Sequence, residues 1–116
     1  MRFAIAAITL SSLAAAASAA SFDGAWSGRS SAIITMGEAC GPVAIHMTVA
    51  ARAITGSFDT YDGHPAAAGA VAEDGSFTLV AADNSVVLTA RFDGNAFAGT
   101  FRLPCGALDA KGARVP

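Results

Sequence analysis

The sequence predicts an all-β fold: an antiparallel up-and-down meander of seven to eight strands closed into a small barrel, with a two-sheet β-sandwich as the alternative. Three observations carry this. Short runs alternate apolar residues with polar or small ones at a period of two, which puts one face of each run into a core. Asp-Gly pairs punctuate the chain at Asp23-Gly24, Asp62-Gly63, Asp74-Gly75 and Asp93-Gly94, and Asp83-Asn84 is a further turn candidate. Asp-Gly suits a tight hairpin because a type I′ turn needs positive φ at both central residues. No segment carries apolar residues at the helical period.

The candidate strands are 25–36, 43–50, 52–59, 65–72, 76–81, 85–92, 95–103 and a weaker one near 107–114. In the second, Val43, Ile45, Met47 and Val49 form one face, and Ala44, His46, Thr48 and Ala50 the other. Ile54, Gly56 and Phe58 continue the apolar face in the third, and Phe77 and Leu79 do so after the Asp74-Gly75 turn. Val86, Leu88, Ala90 and Phe92 follow, then Phe97, Gly99, Phe101 and Leu103. A Gly, hydroxyl, Phe triplet recurs at Gly56-Ser57-Phe58, Gly75-Ser76-Phe77 and Gly99-Thr100-Phe101. It is expected to reflect a shared geometry in which glycine relieves crowding in a bent strand and the aromatic fills the core. A meander that closes on itself removes its exposed edges, which favours the barrel over the sandwich.

The first twenty residues read differently. Met1 and Arg2 are followed by an apolar run from Phe3 to Leu13, then by small residues with an Ala-x-Ala site at Ala17-Ser18-Ala19. That order is the pattern of an export signal, and the run is too short for a permanent span of about 20 apolar residues. Residues 1–19 are therefore expected to be a signal peptide and 20–116 a single small β-barrel domain. The mature chain would begin at Ala20 or Ser21, in a periplasmic or extracellular setting, with no stable membrane insertion after cleavage.

Charge excludes one large class of partner. The chain has seven Lys and Arg, one of them Arg2, against nine Asp and Glu, and a formal net charge of −2. A nucleic-acid binder needs clustered cations to displace counterions, whereas Arg29, Arg52, Arg91, Arg102, Lys111 and Arg114 are scattered singly along the sequence. No nucleic acid is expected as a partner.

Cys40 and Cys105 are the two cysteines. In an exported chain, and without a C-x-x-C spacing, they are expected to pair as a disulfide. Such a bond would tie the turn after the first strand to the end of the seventh.

Gly24-Ala25-Trp26 at the start of the first strand resembles the Gly-x-Trp signature of calycins, the lipocalin and avidin-like meander barrels. The resemblance implies that Trp26 plugs one end of the barrel and that a late arginine, Arg102 or Arg114, packs across its ring as a cation–π contact. The Thr-Asp-Tyr signature of lipocalins has no counterpart, since Thr60-Tyr61-Asp62 carries those residues in another order. In size, export and single disulfide the chain is also similar to the small periplasmic barrels that inhibit bacterial metalloproteases and lysozymes.

Residues able to carry chemistry are few. His46 and His64 are the candidate bases near neutral pH. By the alternation His46 faces outward, and His64, between a turn and Pro65, sits on the surface. Neither has a nucleophile at a recognisable spacing, so no catalytic residue is assigned. Met36, His46 and Met47 offer thioether and imidazole ligands of the kind that suit Cu(I), but consecutive strand residues face opposite ways. Asp59, Asp62 and Asp74 are oxygen donors without a calcium-loop spacing, and Glu73-Asp74 are neighbours on a turn rather than facing acids. No metal and no cofactor are expected. The outward residues are small and uncharged in stretches such as 66–70, which fits either a docking face or an alanine-rich composition. The expected function is non-enzymatic binding of a protein, as an inhibitor or envelope interaction module. The alternatives are a carrier of a small apolar ligand and, third, a small hydrolase. Trp26, Phe58, Phe77, Phe92, Phe97 and Phe101 are bulky enough to fill an eight-stranded interior, which argues against a carrier.

Overall fold

The computed structural model describes residues 22–35 and 38–116. The expected signal peptide and Met36 lie outside the described residues. Ten strands follow in order: β1 (Gly24–Ser30), β2 (Ile33–Thr35), β3 (Glu38–Cys40), β4 (Ala44–Ala50), β5 (Ala53–Asp59), β6 (Ala66–Val71), β7 (Ser76–Ala81), β8 (Val87–Asp93), β9 (Ala96–Leu103) and β10 (Gly106–Arg114). Eight of them close a barrel in the order β1-β10-β9-β8-β7-β6-β5-β4, every pair antiparallel. β2 and β3 form a separate two-stranded ribbon. The fold is thus the up-and-down meander barrel, not the sandwich.

The first strand is where expectation and structure part. A single strand over 25–36 was expected; barrel pairing stops at Ser30, and the following residues leave the wall to build the ribbon. Ser30 explains the stop. Its side chain is buried, its hydroxyl accepts a hydrogen bond from the Val43 N–H at 2.8 Å, and its own N–H donates to the Val43 carbonyl at 2.8 Å. Those bonds draw the entry to β4 beside the exit from β1, so the residues between must loop outward. Ile33, Ile34 and Thr35 are β-branched and remain extended, pairing with Cys40, Ala39 and Glu38 instead of the barrel.

The period of two places the core as expected. Ile45, Met47, Val49, Ile54, Phe58, Phe77, Leu79, Leu88, Phe92, Phe97 and Phe101 all point inward and are buried. One half of the interior is an aromatic stack: Phe92 lies 4.4 Å from both Trp26 and Phe77, ring centre to ring centre, and 5.2 Å from Phe22. In the other half Phe58 meets Phe101 edge-on at 5.9 Å. Such ring pairs add about 1 kcal/mol each beyond the burial of their area.

Fitting Phe97 into so narrow a barrel takes two glycines. Gly28 of β1 and Gly112 of β10 are cross-strand partners. A Cβ on Gly112 would lie 2.1 Å from the Phe97 ring, and one on Gly28 would lie 2.6 Å from it. The ring therefore occupies the space of two missing side chains. The Gly, hydroxyl, Phe triplets divide into two geometries. Gly56 and Gly99 are strand residues pressed against the adjacent backbone, whereas Gly75 sits in the β6–β7 turn at φ 88°. The expected shared strand geometry holds for two of the three.

The chain turns near Asp74-Gly75, Asp83-Asn84 and Asp93-Gly94 as expected, but none of these pairs is the centre of a type I′ turn. Only the second residue of each has positive φ (Gly75 88°, Asn84 60°, Gly94 61°), and Asp93 is still in β8, paired with Ala96 across Gly94-Asn95. Asp23-Gly24 is not a hairpin turn; it opens β1. The tightest unforeseen turn joins β4 to β5, where Ala51 and Arg52 adopt φ of 49° and 72° between the paired residues Ala50 and Ala53.

Candidate functional site

The meander gives the barrel two unlike ends. At one lie Phe22, the β4–β5, β6–β7 and β8–β9 turns and the end of β10. At the other lie the ribbon, the β5–β6 and β7–β8 loops and the β9–β10 turn.

Trp26 is buried beneath Phe22 at the first end. It is 1% exposed, and its indole N–H donates to the Phe22 carbonyl at 2.9 Å. The Arg114 guanidinium carbon stands 4.4 Å from the ring centre. Arg114 also donates to the Asp23 carbonyl and, at 3.0 Å, to the Asn95 side chain. Of the two arginines considered, Arg114 faces the ring and Arg102 is exposed on the outer wall. The strand pattern contained this answer. Arg102 has the outward parity of β9, where Phe97, Phe101 and Leu103 point in, and Arg114 has the inward parity of Leu108 and Ala110.

Two acidic groups at this end, Glu73 and Asp74, are paired. Arg91 meets Asp74 at 3.2 Å and Arg52 approaches Glu73 at 3.8 Å, both in water. Asp74 accepts from the Ser76 hydroxyl at 2.6 Å and the Ser76 N–H at 3.0 Å. These bonds, the hydroxyl first, and then the Arg91 charge hold its carboxyl below the ordinary value. Asp83, on the β7–β8 loop at the other end, is lowered by the same pair of bonds from Ser85.

The second end is held by the Cys40–Cys105 disulfide, whose Cα atoms are 5.7 Å apart. It fastens the ribbon to the β9–β10 turn and indicates an oxidising environment. Around it the surface is apolar and uneven. Tyr61 is 99% exposed and Ile34 76%, and Ile33 is also exposed. Two adjoining open depressions of about 300 and 250 Å³ share Thr60, Asp62, Leu103 and Pro104. Ala39 and Tyr61 line the second. Because Ile34 is the cross-strand partner of Ala39, their side chains share one face of the ribbon. Asp62 has no hydrogen bond or ion pair among the described residues.

Both histidines are exposed, and the structure joins them through a residue not linked to them in the sequence reading. His64 Nδ1 lies 2.8 Å from one oxygen of Asp59, and His46 Nε2 lies 3.5 Å from the other. His46 and Asp59 stand on the outer wall, and His64 also lines the depression of about 300 Å³, together with Ser85. The alternation of β5 would have placed Asp59 outward beside His46, but the return of the β5–β6 loop that brings His64 alongside has no signature in sequence. Met47 is buried in the core while His46 points to solvent. Asp74 lies at the opposite end from Asp59 and Asp62. Among the described residues no group of three or more His, Cys, Asp or Glu is placed to hold a metal ion. Ala66, Ala68 and Ala70 form an exposed stripe on the outside of β6.

Comparison with known proteins finds no matching family, no matching curated protein and no matching solved structure.

Proposed function

We propose that the chain is a non-enzymatic, exported, calycin-like barrel that binds another protein through its ribbon end. One contrast carries this reading: the interior is occupied by buried aromatic and aliphatic side chains, while Tyr61 and Ile34 stand in solvent at one end. Large apolar side chains cost free energy when left in water, and surfaces that present them with polar rims are protein contact sites. The Trp26–Arg114 contact at the opposite end supports the calycin-like reading. The disulfide supports export.

A carrier of apolar ligands needs an empty interior, and Phe58, Phe97 and Phe101 stand in its place. A hydrolase needs a base in a cleft beside a free nucleophile. His46 is exposed on the outer wall beside Asp59, and in the depression that His64 lines, His64 is tied to Asp59 while the Ser85 hydroxyl donates to Asp83. Arg29, Arg91 and Lys111 also face outward, which opposes insertion of this barrel into a bilayer.

A photo-reactive aromatic residue placed at position 61, in the envelope of the host, tests the proposal. It is expected to yield a discrete cross-linked protein, and the same group at Val80, an exposed outer-wall position, is expected not to. Equal cross-linking from both positions, or none from position 61, would contradict it.

A further inference from the structure

The outer wall carries a charge arrangement that the ribbon-end reading does not use. Arg29 of β1 and Lys111 of β10 are directly opposite each other, and both side chains are exposed. Residues so placed have Cβ atoms about 5 Å apart, and like charges there are destabilising. Neither cation has a hydrogen bond or ion pair among the described residues. Scattered in sequence, they are gathered by strand order.

The register extends the row. Arg29 is flanked by Ala44 on β4, Lys111 by Ala98 on β9, and Ala98 in turn by Arg91 on β8. Arg91 thus stands about 10 Å from Lys111, two strand spacings away. The alanines leave the cations uncovered. Arg91, Ala98 and Lys111 line a shallow depression of about 420 Å³ on this wall. Two carboxylates border the row: Asp93, which also lines the depression, and Asp109, two residues from Lys111 on the same face. Neither is paired with Arg29 or Lys111, and Arg91 is paired with Asp74.

We infer that Arg29 and Lys111 bind a phosphate-class oxyanion, free or carried on an envelope lipid. The guanidinium offers a planar fork of donors and the ammonium a compact second charge. An anion between them removes the repulsion that the bare pair carries. This stands apart from the ribbon end: loss of either site leaves the other intact.

The test uses the exported protein with phosphatidylglycerol vesicles, phosphatidylcholine vesicles and inorganic pyrophosphate as probes. Binding to phosphatidylglycerol or to pyrophosphate is expected, and to phosphatidylcholine it is not. If pyrophosphate alone binds, the ligand is a soluble phosphate; if phosphatidylglycerol alone binds, it is a lipid headgroup; either supports the site. Lys111→Ala should weaken binding about fivefold, the effect of one cation near an anionic surface. Lys111→Glu should abolish it while raising the melting temperature, because it converts the repelling pair into an attracting one. Arg102→Glu changes the net charge equally and should bind as wild type. Equal loss in Arg102→Glu and Lys111→Glu, or binding of neither anion, would overturn the inference.

Discussion

Arg114 and Trp26 are cross-strand partners on the two strands that begin and end the barrel, and the guanidinium carbon lies 4.4 Å from the centre of the indole. The contact holds the closure of the meander at the point where its first and last strands meet. Arg114→Ala should lower the stability by about 1–2 kcal/mol, combining a cation–π contact with lost hydrogen bonds to Asp23 and Asn95. Arg102→Ala, on the outer wall, should stay within about 0.5 kcal/mol of wild type. Urea melts of the two variants check this, and Trp26 emission should be quenched by iodide more readily in the first.

The disulfide closes a sequence separation of 65 residues. The loop-entropy estimate for such a closure is about 4 kcal/mol, a large share of the stability of a domain this small. Reduction, or Cys40→Ser with Cys105→Ser, should shift the urea midpoint strongly downward. An unchanged midpoint would show that the disulfide contributes nothing to the stability of the barrel.

Ala51 and Arg52 hold the positive φ values of a hairpin turn with side chains that disfavour them. The Asp23 carboxylate accepts the Ala51 N–H at 3.2 Å and steadies the turn. Replacing the pair by Asn-Gly should stabilise the fold by about 1 kcal/mol. The exposed Arg52–Glu73 pair lost in the exchange is worth little. A higher melting temperature is the expected readout.

Asp74 and Asp83 are held below the ordinary aspartate value of 3.8 chiefly by the hydroxyls of Ser76 and Ser85. A carboxylate whose folded-state pKa is lowered stabilises the fold fully above its unfolded value. That contribution is lost as the pH falls through the lowered folded-state values. Melting temperature should therefore fall on the acid side of 3.8, and the double variant Ser76→Ala, Ser85→Ala should show a shallower fall. Identical acid limbs would contradict the assignment.

Much of this architecture was legible from the chain. Alternation in β4, β5 and β7 to β9 placed nearly every inward residue, because a strand with one buried face leaves a period of two. In β6 it did not, since Ala67 is buried within a stretch of small residues read as outward. Asp74-Gly75 and Asp93-Gly94 marked two turns for the same local reason. What local pattern does not encode was missed. Ser30 ends β1 through a partner thirteen positions away in sequence, so the ribbon was read as more strand. Ala51-Arg52 makes its turn without turn residues because the flanking strands impose it. Asp59 between His46 and His64, and Arg29 against Lys111, exist only once register is fixed.

A filled barrel that acts through its outer surface holds no ligand inside. Native mass spectrometry of the protein released from the envelope of its own host tests this most directly. The expected species is a chain cleaved after Ala19 or Ala20, oxidised at Cys40 and Cys105, and carrying no small apolar passenger. A retained apolar molecule, displaced only on unfolding, would show that the interior opens to hold a ligand and would contradict it.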